Sequence, residues 1–252
     1  MKKKKRETFN KVIILLLVYP IALFLALLFI LFKLLGRIRV IYPERFPFGR
    51  GNLIVLSNHP SLVEPILLPV MLYRNYLLHP FKLRPWSTPD KKNYYDRWYW
   101  RWLLKHVTIP INRSSSQERS KAFRQLVRIL ESKGVTIIFG EGGRTKKGTD
   151  FFYSSLKKRK IRPLQEGVAS LIRKTGALVV PIWVEHKKEA SLNLSDRVYF
   201  NSLIFIFFLE LWKKEAITIK IGRPLQFQKS DSREKITQEL ITTLLNLADE
   251  EE

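Results

Sequence analysis

From Val12 to Phe32 the chain has no charged side chain, a run of about 21 residues. As a helix it would extend roughly 31 Å, enough to cross the hydrocarbon core of a bilayer. Any fold for this chain must therefore place one long apolar helix in lipid or against a core. Met1–Arg6 and Lys11 are basic before the run, and Lys33, Arg37 and Arg39 are basic after it. A cleaved signal peptide is disfavoured, because the run is long and Phe32-Lys33-Leu34-Leu35-Gly36-Arg37 offers no small-residue cleavage site. Two arrangements fit: a single span, or a shallow hairpin kinked at Pro20 with both basic ends on the cytoplasmic side. The expected organisation is a membrane anchor over 1–36 and a catalytic domain over 37–252, at the cell membrane with that domain on the cytoplasmic side.

The remainder alternates short apolar runs with amphipathic segments. Arg39–Tyr42, Leu53–Leu56, Val135–Phe139, Leu178–Val184 and Ile217–Ile221 read as strands. Segments near Ile66–Leu78, Ser114–Leu130, Pro163–Thr175 and Ser230–Ala248 read as helices; serines stand at two of the starts and Gly176 closes the third. The fold class is α/β, a mixed sheet flanked by helices. Tyr94–Trp102 is dense in aromatics and arginine, which suits either a packed helix or an interfacial belt. Val198–Trp212 suits either a buried helix or an apolar surface, being short for a span.

Charge narrows the partners. Lys and Arg number 45 against 22 Asp and Glu, a net charge of +23, so anionic lipid, phosphorylated substrates or an acidic carrier protein are expected to bind. No nucleic-acid module is recognisable, and nucleic acid is not an expected partner. The absence of cysteine excludes a thiol nucleophile and cysteine-ligated metals.

The chemistry is concentrated at strand ends. The run Leu53–Leu56 leads to Asn58-His59-Pro60-Ser61-Leu62-Val63-Glu64, a base with a carboxylate five positions on. Histidine titrates near about 6.5 and is matched to proton abstraction at neutral pH. A carboxylate on its other ring nitrogen would fix the tautomer. Val135–Phe139 leads to Gly140-Glu141-Gly142-Gly143-Arg144, where arginine and close backbone approach suit an anionic phosphate.

These segments resemble the glycerolipid acyltransferases, the family of the bacterial 1-acylglycerol-3-phosphate acyltransferase. Asn58-His59 with Glu64 resembles the first motif, Ile109–Arg113 the second, Phe139–Thr145 the third and Val180-Pro181-Ile182 the fourth. Pro163–Ala169 and Ile221–Leu225 resemble conserved spacers, so the resemblance covers about 40–225. It implies transfer of a fatty acyl group from acyl-CoA or acyl carrier protein to a lysophospholipid hydroxyl, with 1-acylglycerol-3-phosphate as the expected acceptor and phosphatidic acid as product. His59 and Glu64 are then the catalytic pair, and Asn58, Arg113, Glu141, Gly142, Gly143 and Arg144 the substrate-binding set. No metal and no cofactor beyond the acyl donor is expected. Three positions depart from the family pattern. Glu64 stands where aspartate is usual, Gly140 replaces a proline, and Gly143 replaces a hydroxyl residue. They leave the reaction type in place and open the acceptor to other lysolipids, ornithine lipid or a lipid A-type molecule. A non-catalytic basic binding protein is the remaining alternative.

Overall fold

The computed structural model describes residues 2–61, 63–91, 95, 98–112, 114–145, 148–186 and 217–251. Arg113 and the apolar segment Val198–Trp212 lie outside the described residues.

Six strands form the main sheet: β1 (Ile38–Ile41), β2 (Leu53–Ser57), β3 (Pro85–Ser87), β4 (Val135–Phe139), β7 (Leu178–His186) and β8 (Ile217–Ile221). Their order is β1-β8-β7-β2-β4-β3, and only the β7–β8 pair is antiparallel. Two shorter strands, β5 (Phe152–Tyr153) and β6 (Lys160–Ile161), pair antiparallel outside it, an element the sequence reading did not contain. β2 is central and runs parallel to both neighbours, with Ser57 opposite Phe139 on β4 and Ile182 on β7. Strands that run together end together, so the groups after β2 and β4 meet at one edge of the sheet.

Continuous apolar runs make sense because both sheet faces are covered. Leu53 and Val55 face one core, built with Leu67 and Leu68. Ile54 and Leu56 face the other, where Leu126 and Leu130 of one helix and Leu240 and Leu244 of another pack. The first core is closed by helices α3 (Glu64–Met71) and α4 (Tyr73–Leu78), which divide at Leu72 where one helix was expected. The second is closed by α6 (Ser116–Glu131), α7 (Glu166–Thr175) and α8 (Arg233–Asp249). Serine caps hold α6 and α8: Ser115 accepts from the Glu118 N–H and Ser232 from the Lys235 N–H. α5 (Trp98–Leu104) leaves Trp98, Tyr99 and Trp102 exposed rather than packed in a core.

The N-terminal run is one unbroken helical path and not a hairpin: α1 (Lys2–Ile13), a π-turn (Ile14–Val18) and α2 (Tyr19–Leu34). Pro20 has no N–H to give the preceding turn and its ring crowds that turn's carbonyls. The π-turn absorbs this, the Tyr19 N–H bonding back to the Ile14 carbonyl. Thr8–Leu34 is long and apolar enough to cross a membrane. Yet Ala26, Phe29 and Phe32 of α2 are buried, the two phenylalanines in the same core as β2. Tyr19 and Tyr76 add hydroxyl bonds to the carbonyls of Leu77 and Ala22. Packing therefore does not divide at residue 36.

Gly51, just before β2, sits against the turn that feeds β4. A Cβ there would stand 2.0 Å from the Lys133 carbonyl oxygen. Gly51→Ala is expected to lower stability by about 1–3 kcal/mol through backbone displacement, read as a reduced melting temperature. An unchanged melting temperature would show that this crossing is not tight.

Candidate active site

β2 ends at Ser57, and the next residue continues the sheet with its side chain. The Asn58 amide donates to the Val184 carbonyl at 2.9 Å and accepts from the Val184 N–H at 2.7 Å. The pair imitates a ladder step and locks the loop after β2 to β7. Asn58 is buried at this contact and braces the loop that carries the base.

His59 is held from every side. Its N–H donates to Glu141 Oε1 at 2.8 Å, and its carbonyl accepts from the Thr145 N–H at 2.9 Å. Its ring stacks on Phe139, the last residue of β4, with centroids 4.6 Å apart. Its Nδ1 lies 3.0 Å from Glu64 Oε2. That contact leaves Nε2 as the ring nitrogen for the cavity that His59 lines.

Glu64 begins α3 and has no solvent access, a placement that the helix dipole favours for an anion. Its Oε2 also accepts from the Ser61 N–H at 3.0 Å, and its Oε1 accepts from the Ser61 hydroxyl at 2.7 Å. The other partner of Oε1 is His186 Nε2 at 2.8 Å. Burial alone would raise the Glu64 pKa, but the bonds from His186 and His59 hold it well below the ordinary carboxylate range.

Glu141 is a second buried carboxylate. It takes the His59 N–H and the Thr145 hydroxyl on Oε1 and the Arg162 N–H on Oε2. Burial raises its pKa, with these donors opposing the rise. Its partners are protein groups from three loops, which it braces together. The glycines beside it have geometric reasons. Gly142 has φ 67°, a left-handed turn that side chains resist. A Cβ at Gly140 would come within 2.8 Å of a Leu164 methyl and 2.9 Å of a Leu56 methyl, so the residue in place of the usual proline makes room for core packing.

Gly142, Gly143 and Arg144 line a cavity of about 1430 Å³ together with His59. One wall is apolar and comes from the N-terminal helix, including Ile14, Val18, Ala22 and Leu25. The lining also includes Arg84, Arg119, Arg124, Arg144 and Arg162. Arg84 is well buried, which brings its pKa down to about 10. The arrangement can accept a proton at one fixed imidazole in a cavity lined by both apolar side chains and arginines.

Three contributors escaped sequence reading. Thr145 stands in the third motif but had no assigned role; Ser61 lay between the paired residues and looked like a loop residue. His186 gave no signal, since Glu185-His186-Lys187 reads as the polar end of a strand.

Comparison with known proteins gives the family and the fold. The acyltransferase family model matches residues 37–185, and the chain belongs to that family. It is an O-acyltransferase. A solved structure, the 1-acyl-sn-glycerophosphate (LPA) acyltransferase PlsC from Thermotoga maritima, is similar in fold. It shares 16% identity, the match covers 98% of this chain and 84% of that chain, and the TM-score is 0.55. None of the curated proteins compared with the chain matches it.

The lowered Glu64 pKa has a signed consequence. Its stabilising effect is present above the ordinary value of 4.5 and is lost as pH falls through and below it. Glu64→Gln is expected to cost roughly 1–3 kcal/mol at neutral pH, with the gap to the parent protein narrowing as the pH drops below that value. Denaturant midpoints across pH check this; a gap that is constant with pH would contradict it.

Proposed function

We propose that this acyltransferase moves a fatty acyl group from a thioester donor to the free hydroxyl of a lysophospholipid, 1-acylglycerol-3-phosphate in the first place, to give phosphatidic acid. The observation that carries the proposal is the His59–Glu64 pair opening on a cavity whose lining includes apolar side chains of the N-terminal helix and several arginines. An acyl chain suits the first and a phosphate the second. The similar fold of an LPA acyltransferase supports the same acceptor.

In the reaction, His59 Nε2 takes the hydroxyl proton as that oxygen attacks the thioester carbonyl. Glu64 holds the imidazole by Nδ1 and stabilises the imidazolium. The carbon–sulfur bond then breaks, and the imidazolium returns the proton to the departing sulfur, leaving an ester and a thiol. No covalent enzyme intermediate is needed, since the thioester is already activated. Arg144 and the backbone at Gly142 and Gly143 face the acceptor phosphate. Arg113, placed by motif alone, contributes a second guanidinium. The donor is acyl-CoA or acyl carrier protein, both anionic and suited to a chain of net charge +23.

The setting proposed is the surface of the cell membrane, with the catalytic domain on the cytoplasmic side. Leu16, Phe24, Leu27 and Leu34 are exposed on the N-terminal helix while its other face packs on the domain. Such a helix rests its free face in lipid and keeps the domain at the interface. The β5–β6 turn supports this, exposing Leu156 beside Lys157, Lys158 and Arg159, a combination that favours anionic headgroups.

Gly143 in the cavity wall favours a second reading with the same chemistry on another lysolipid, because it offers no hydroxyl to the acceptor. Both readings meet one assay: purified protein, labelled acyl-CoA and acyl carrier protein, and a panel of lysophospholipids. Transfer to 1-acylglycerol-3-phosphate is expected, with His59→Ala slower by about 10²–10⁴-fold. Transfer to a different lysolipid alone would select the second reading. Equal rates in parent and variant would refute the base, and no transfer to any member of the panel would refute the function.

A further inference from the structure

His186 is the last residue of β7, two positions beyond where the apolar run predicts the strand to stop. Its side chain is only 8% exposed. Its Nε2 meets Glu64 Oε1 at 2.8 Å, while His59 Nδ1 meets Oε2 at 3.0 Å. Two imidazoles thus occupy opposite oxygens of one buried carboxylate. His59 lines the cavity, whereas His186 is not among the residues described as lining it. His186 is linked to the catalytic pair through Glu64 Oε1.

We propose that His186 is a positioning residue for acyl transfer: by holding the second oxygen of Glu64 it fixes the carboxylate that orients His59. The inference rests on the reading of His59 as the base. It also accounts for the glutamate at this position. Glutamate has one more rotatable bond than aspartate, and that freedom has to be frozen if the carboxylate is to aim one imidazole. The extra methylene, roughly 1.5 Å of reach, lets the group stand between two rings. Ser61 anchors it from its own loop, and His186 anchors it from β7, across the sheet. The Asn58–Val184 bonds fix β7 relative to the His59 loop two residues away. The frame that carries His186 is therefore the frame that carries the base.

The test is steady-state kinetics on the full chain with the acceptor it uses, comparing parent, His186→Ala and His186→Gln. The glutamine amide can donate where Nε2 donates but carries no charge. The expected result for His186→Ala is a fall in kcat of about tenfold or more at little change in KM. His186→Gln is expected to recover most of that kcat, because its amide can still donate to Glu64. An unchanged kcat in His186→Ala would overturn the proposal. So would a His186→Gln kcat no higher than that of His186→Ala, which shows that the hydrogen bond is not what matters. Should His186→Ala fail to fold, His186→Phe, which fills the space without a donor, takes its place with the same expected fall in kcat. The two readings fail separately: His59→Ala retaining activity removes the base, whereas a silent His186 with an essential His59 removes only this inference.

Discussion

Glu64 has no contact with water, so its charge has to be met by protein groups alone. An unpaired buried carboxylate would cost several kcal/mol or would take up a proton. Four donors prevent this: the Ser61 N–H and hydroxyl, His59 and His186. Each donor is also fixed in place by the need to satisfy the same anion. The loop after β2, the start of α3 and the end of β7 are thereby tied to one point. The orientation of His59 follows from this electrostatic requirement.

Glu141 repeats the device on the neighbouring strand end. Its carboxylate gathers the His59 N–H, the Thr145 hydroxyl and the Arg162 N–H, joining the loops that follow β2, β4 and β6. With the Thr145 N–H on the His59 carbonyl, both backbone groups of the base are spoken for. A base held by its backbone, by its ring face on Phe139 and by its Nδ1 has little freedom left. Such preorganisation lets the chemical step proceed without first ordering the base.

Much of this was legible in the sequence. Leu53–Leu56, Val135–Phe139 and Leu178–Val184 read as strands from their apolar runs, and the polar groups after the first two read as walls of one site. The His59–Glu64 contact needed only the five-residue spacing. What was illegible depended on contacts between distant residues. Asn58 and Glu141 sit in motifs and look like ligands; only packing shows that their partners are Val184, His59, Thr145 and Arg162. His186 was hidden because β7 continues past its apolar run, through residues that read as a polar turn. The division at Leu72 and the π-turn before Pro20 were equally out of reach, since both settle local backbone conflicts that periodicity does not record.

The account turns on which nitrogen of His59 carries the proton, because the base must have a bare Nε2. The chain has four histidines, so a long-range proton–nitrogen correlation spectrum of labelled protein in detergent micelles can be assigned with a His59→Gln control. The account predicts that, at a pH where His59 is neutral, its ring is protonated on Nδ1 and bare on Nε2. A His59 ring protonated on Nε2 under the same conditions would contradict it.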